Sequence, residues 1–260
     1  MKKQRERWYS DTDNRYRGYR IDIDTDEYPP DPRDEFEPMG RMICFHSRYT
    51  LGDEHNYSPE TLMQELALEV CPNLQNTLDA LNNEIYIKLR DKHGHEKASA
   101  MVEARERKII EKIIDRKYII LELYIYDHGG ITMRSGPFSC PWDSGQVGVM
   151  VMTKEQARQE YSGPDYIAKA TAYMEGEIKE YDAYLTGDVF GWQIYDPEDN
   201  FVDSCFGYYG YERNIEYVMS EVKAIIDRIY KDQEDEAAAI AYEAQQQPAR
   251  QALAAAARWR

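Results

Sequence analysis

The 260-residue chain carries 32 Lys and Arg against 48 Asp and Glu, a net charge of −16. That balance argues against an ordinary phosphate-backbone binder, because a nucleic acid would be repelled unless a separate basic patch overrode the field. With 42% hydrophobic and 12% aromatic residues the chain can bury a core without disulfides, and no apolar run approaches the roughly 18 residues that a membrane span needs.

In chain order, residues 1–20 are basic and residues 21–37 acidic, opposed blocks that fit a charged N-terminal arm or edge extension over residues 1–39. Within them Tyr16–Asp26 has the character of an edge strand, stopped by Pro29, Pro30 and Pro32. The alternating acids of IDIDTD lack the turn glycine and the terminal glutamate of a calcium loop. Arg41–His46 is a short strand. Ser58 and Pro59 signal a helix running to about Val70, which buries Leu62, Leu66 and Val70 before Pro72 interrupts it. Further helices are expected over Leu74–Leu89, with Leu78, Leu81, Ile85 and Leu89 on one face, and over Glu96–Arg116.

Tyr118–Tyr126 is apolar at nearly every position, which places it near the middle of a covered sheet. Thr132–Ser139 has the pattern of a short return strand and Gln146–Met152 that of a firm one, followed by a capping box of Thr153 and Gln156. A helix over Asp165–Leu185 follows, then a hairpin of Val189–Tyr195 and Phe201–Tyr208 around DPEDN, then an amphipathic helix over Glu212–Tyr230. Residues 232–260 form a tail rich in alanine and glutamine. The pattern favours an α+β globular domain over residues 40–231, with a predominantly antiparallel sheet packed by several helices. A three-layer α/β arrangement is the alternative, because helices intervene between several strands.

The irregular polar residues gather between the two central strands. Cys140 lies in a loop that could fold back on His128, giving a thiol beside a base, with Asp127 or Asp143 orienting the imidazole. Gly129, Gly130 and Gly145 would then offer backbone donors to an oxyanion. This constellation defines a cysteine-dependent hydrolase, although its spacing matches no protease signature. Asp127, His128 and Asp143, with Asp188, are also of a type that binds divalent cations, but no spacing fixes them together, and neither a metal nor another cofactor is expected. The four cysteines, Cys44, Cys71, Cys140 and Cys205, contain no CxxC pair, and no apolar leader opens the chain; a cytoplasmic protein with reduced thiols is expected.

Charge and tyrosine usage favour noncatalytic partner recognition over that chemistry. Tyrosines number 22 against six phenylalanines, and tyrosine suits either core edges or a recognition surface. Asp22, Asp24, Asp26, Glu27, Glu175, Glu177, Glu180 and Asp182 are the candidate carboxylates for guiding a basic protein. Tyr208, Tyr209 and Tyr211 of GYYGYE are the candidate anchors, or else the packing between hairpin and last helix.

The segments CPWDSGQVGV, YLTGDV and VDSCFGYYG resemble uncharacterised proteins of bacteriophages and other mobile elements, over about residues 118–212. The resemblance transfers no catalytic role. It implies a setting in which an acidic protein inhibits a basic host factor, such as a nucleic-acid-binding defence protein. The expected partner is therefore a basic protein, with no direct nucleic-acid binding and no membrane. A structural subunit is the other alternative, a homo-oligomer seated on the Glu212–Tyr230 helix.

Overall fold

The computed structural model describes residues 14–257, except for the side chains of residues 249 and 251–257. The fold is α+β, with two four-stranded sheets in which every pairing between described strands is antiparallel. Two compact units share the chain: Pro30–Thr186 forms one, and the described residues up to Pro29 with those from Gly187 onward form the other. This division cuts across the expected separation of a 1–39 arm from a 40–231 domain.

The discontinuous unit is built on a sheet in the order β1 (Asn14–Tyr16), β2 (Tyr19–Thr25), β7 (Val189–Tyr195), β8 (Phe201–Tyr209). In β2 the alternation YRIDIDT buries Tyr19, Ile21 and Ile23 and turns Arg20, Asp22 and Asp24 to the opposite face. The acids that resemble a metal loop are thus the polar side of a strand. β2 is also interior, paired with both β1 and β7, where an edge position was expected. Its apolar side meets Phe190, Trp192 and Ile194 of β7, and all are covered by Val218, Val222 and Ile226 of α7 (Tyr211–Ala257).

The continuous unit is built on a sheet in the order β3 (Arg41–Cys44), β6 (Ser144–Thr153), β4 (Tyr118–Asp127), β5 (Ile131–Ser135). Helices cover both faces. On one side Met42, Leu123, Met150 and Met152 pack against Met174, Ile178 and Tyr181 of α6 (Tyr166–Thr186). On the other, Ile43, Val149 and Val151 pack against Leu66 of α2 (Leu62–Val70) and Ile114 of α4 (His95–Lys117). Sheet residues that alternate between two covered faces explain why β4 and β6 read as nearly continuous apolar runs. The three-layer alternative is met in this layering, but without the parallel strands that a βαβ arrangement requires.

Among the described residues there are three further helices, α1 (Pro32–Glu35), α3 (Leu74–His93) and α5 (Lys154–Glu160). Thr153 and Gln156 form the expected reciprocal capping box at α5. The second helix begins at Leu62, later than Ser58 and Pro59 signalled, because residues 58–61 close a turn in which the Ser58 carbonyl accepts from the Thr61 and Leu62 amides.

Two irregularities set the geometry at the end of this sheet where β6 begins. The register between β4 and β6 slips at Leu123 and Tyr124, whose partners are Gly148 and Gln146, so Val147 is an extra residue. The bulge puts Val147 on the same side as Met150 and re-aims the start of β6. Next to it Gly148 lets β3 approach closely, since a Cβ there would run into the Ile43 carbonyl.

Candidate functional site

At one end of the continuous unit's sheet, the β4–β5 turn, the loop before β6 and the segment after β3 come together. Gly129, at φ +78°, makes the turn after β4, and the His128 amide donates to the Gly130 carbonyl. The Asp127 amide donates to the Asp143 carbonyl at 2.8 Å, which ties that turn to the loop. Ser144 Oγ donates to the Cys140 carbonyl and closes the loop on itself. After β3, His46 Nδ1 accepts the backbone amides of Arg48 and Tyr49, both at 3.2 Å, so its remaining proton is on Nε2.

The hydrolase residues gather here around one carboxylate oxygen. Cys140 Sγ lies 3.9 Å from Asp143 Oδ2, and His128 Nδ1 lies 3.2 Å from the same oxygen. The thiol and the imidazole thus meet the same carboxylate oxygen, and among the described residues no hydrogen bond joins the one to the other. Asp127 is engaged elsewhere, with Arg48 Nη2 at 2.5 Å and Tyr49 Oη at 3.4 Å. Among the described residues no group of three or more His, Cys, Asp or Glu side chains is placed to hold a metal ion, and Asp188 belongs to the other unit.

What the loops present instead is aromatic. Phe138 packs near Tyr126, with ring centroids 5.8 Å apart, and Arg134 lies 4.1 Å above Phe138. Tyr126 also stacks on His128, and Tyr49 on His46. Beside these rings is an open cleft of about 270 Å³ whose lining includes Phe45, Arg48, Asp127, Trp142 and Gln146. Trp142 is 91% exposed. Its neighbours in the loop are held by the hydrogen bonds and ion pairs above, so a fixed backbone carries a bare indole.

Most of the expected partner-binding residues have internal duties. Glu177 is buried and accepts the Met39 and Gly40 amides. Asp182 accepts from Thr132 Oγ1 and the Met133 amide, stitching α6 to β5. Asp22 pairs with Arg20, Asp24 accepts from Gln193, and Asp26 caps the Tyr28 amide. Glu175 is half-buried, while Glu27 and Glu180 are exposed. Tyr209 is buried, Tyr208 accepts from Trp192 Nε1, and Tyr211 meets Phe190 edge-on at 5.1 Å. Tyr208 and Tyr211 pack the hairpin against α7, as the competing expectation had it.

Arg48 and Tyr49 went unrecognised in the sequence, and His46 read only as the last residue of a short strand, which ends in the structure at Cys44. The available signal was their position directly after a strand. Comparison with family models, curated proteins and solved structures finds no match to this chain. No helix among the described residues is long and apolar enough to cross a membrane.

Proposed function

We propose that this chain is a noncatalytic protein-binding module whose contact is anchored by Trp142. The observation that carries it is the 91% exposure of that indole on a hydrogen-bonded loop. Covering a tryptophan removes about 150–250 Å² from water, worth roughly 4–6 kcal/mol before association costs. Tryptophan and arginine at the centre of a patch are the usual anchors of protein interfaces; Arg48 lines the same cleft, and Tyr49 donates to Asp127 in its wall.

The net charge of −16 favours a basic partner through long-range attraction. Combined with the resemblance to mobile-element proteins, the finer reading is a cytoplasmic inhibitor of a basic host factor, in which the exposed Glu27 and Glu180 remain available for steering. The hydrolase reading comes second because, among the described residues, the Cys140 thiol is hydrogen-bonded to Asp143 and not to His128.

The test is capture of basic proteins by the purified chain, followed by reconstitution with each purified candidate. A true partner binds at low salt, weakens steeply as salt rises, and binds at least tenfold less to Trp142→Ala, whose melting temperature is unchanged. Association that is indifferent to salt and to Trp142→Ala would remove the basis of the proposal.

A further inference from the structure

Among the described residues, cationic side chains converge where two helices of the continuous unit come together. Where the C-terminus of α4 meets the start of α5, a cleft of about 680 Å³ is lined by Arg116, Lys117, Lys154 and Arg158, with Glu69 and Glu155 as its carboxylates. Glu69 is already committed: Arg41 Nη2 lies 2.7 Å from it, and Tyr57 and Tyr118 donate to it. Those three donors outweigh the burial that would raise its pKa and hold the carboxyl below the ordinary value. Four cations therefore face one unneutralised carboxylate, Glu155.

The cations are also available. Among the described residues, Arg116, Lys117 and Arg158 take part in none of the ion pairs. Arg158 is positioned by the Tyr166 ring, 4.9 Å from its guanidinium carbon, and Lys154 by the Asp115 carbonyl, 2.5 Å from Nζ. Basic residues in the last turn of α4 complement the helix dipole, which accounts for Arg116 and Lys117 taken alone. It does not account for Lys154 and Arg158 arriving from a different helix at the same cleft.

We infer that this cleft binds a small anion carrying two or more phosphoryl groups. Its volume lies in the range of small-molecule sites, roughly 300–1,000 Å³. Guanidinium forks and ammonium groups supply paired and point contacts to phosphate oxygens. The rest of the molecule sets the ligand's length. Beyond a Debye length of about 8 Å a short ligand no longer feels the acidic surface, whereas a long nucleic acid would lie across it. The inference is independent of the Trp142 contact.

The experiment is calorimetric titration of the full chain with inorganic tripolyphosphate, with a nucleoside triphosphate and with citrate, at low and physiological salt. Saturable one-to-one binding of tripolyphosphate is expected, weakened about tenfold by Arg116→Gln and again by Arg158→Gln, and unchanged by Trp142→Ala and by Lys223→Gln, which alters an exposed cation of α7 outside the cleft lining. Unaltered melting curves for the Gln variants make their loss a loss of contact. A nucleoside triphosphate that binds as tightly as tripolyphosphate shows that the phosphate chain alone is read, and one that binds tighter shows that the nucleoside adds contacts. Absence of saturable tripolyphosphate binding at millimolar concentration, citrate binding of equal strength, or indifference to both Gln variants would overturn the assignment.

Discussion

Arg33 Nε and Nη2 donate in parallel to the two carboxylate oxygens of Asp53, at 2.6 and 2.7 Å. The Arg33 side chain is 2% exposed, and the same Nη2 also reaches the Gly40 carbonyl at 2.6 Å. Asp53 in turn accepts the Met42 amide, and Glu177 lies 3.7 Å from Arg33 Nη1 while holding the Met39 and Gly40 amides. One buried cation thus fastens the segment that leads into β3. Arg33→Met leaves two carboxylates facing a low-dielectric interior, and we expect it to lower stability by about 3–5 kcal/mol in urea unfolding. A loss below about 1 kcal/mol would mean that water reaches this network freely.

Glu177 makes that network pH-dependent. Burial raises its pKa, against the lowering effect of the Met39 and Gly40 amides and of Arg33. The folded state therefore holds the proton more tightly than the unfolded chain, and this contribution is full below the ordinary value of 4.5 and lost as the pH rises through the folded value. Urea midpoints measured from pH 4 upward should show this component in the wild type and lack it in Glu177→Gln. Identical pH profiles for the two proteins would contradict the assignment.

The four thiols should separate cleanly under native labelling. Cys205 is exposed on β8, whereas burial pushes the Cys44 thiol up to about 12 and encloses it beneath Gly52. A thiol-selective reagent at pH 8 is expected to modify Cys205 first and Cys44 only after unfolding, as resolved by peptide mass analysis. Cys140→Ala should leave partner association unchanged, since the thiol's hydrogen bond is internal to the loop, to Asp143. Loss of binding in that variant would bring the cysteine back into the functional site.

The local elements were largely legible because their signals are local: the Thr153 capping box, the apolar runs of β4 and β6, and the spacing of Met174, Ile178 and Tyr181 along α6. The two-unit division was not, because it depends on β2 pairing with β7 across more than 160 residues, as in Ile23 with Trp192. The candidate carboxylates were misjudged for a related reason. Composition counts Glu177 and Asp182 as charge, but only the fold reveals that one faces backbone amides beside Arg33 and the other joins α6 to β5. Trp142 lies within the CPWDSGQVGV segment, but its exposure depends on where a loop between two paired strands projects.

Gly148 couples the sheet to the loop. Alanine there would place a Cβ against the Ile43 carbonyl and the Cys44 backbone, so β3 must move away from β6. Overpacking of this kind costs about 1–3 kcal/mol, and the displaced β3 carries His46, Arg48 and Tyr49 away from Trp142. Gly148→Ala is expected to weaken both stability and partner binding, whereas Trp142→Ala should weaken binding alone and change stability by no more than about 0.5 kcal/mol. If Gly148→Ala folds as stably as the wild type, the close strand approach is not a constraint on the site.

α7 divides into a working half and a bare half. Val218, Val222 and Ile226 are buried against β2 and β7, and Gln233 Nε2 still reaches Tyr19 Oη at 3.3 Å. From Lys231 onward every described side chain is exposed, Ile240 and Tyr242 included, and Pro248 removes one backbone donor from the helix. Helical stability in proteins comes mainly from packing an apolar face, and this stretch has none to pack within its own unit. A chain ending at Glu234 should therefore keep its urea midpoint, with a stability change within about 0.5 kcal/mol, while losing helical circular dichroism in proportion to the residues removed. A loss of more than about 1 kcal/mol in dilute solution, growing as the full-length protein is concentrated, would reveal that the exposed half is covered by a second copy of the chain.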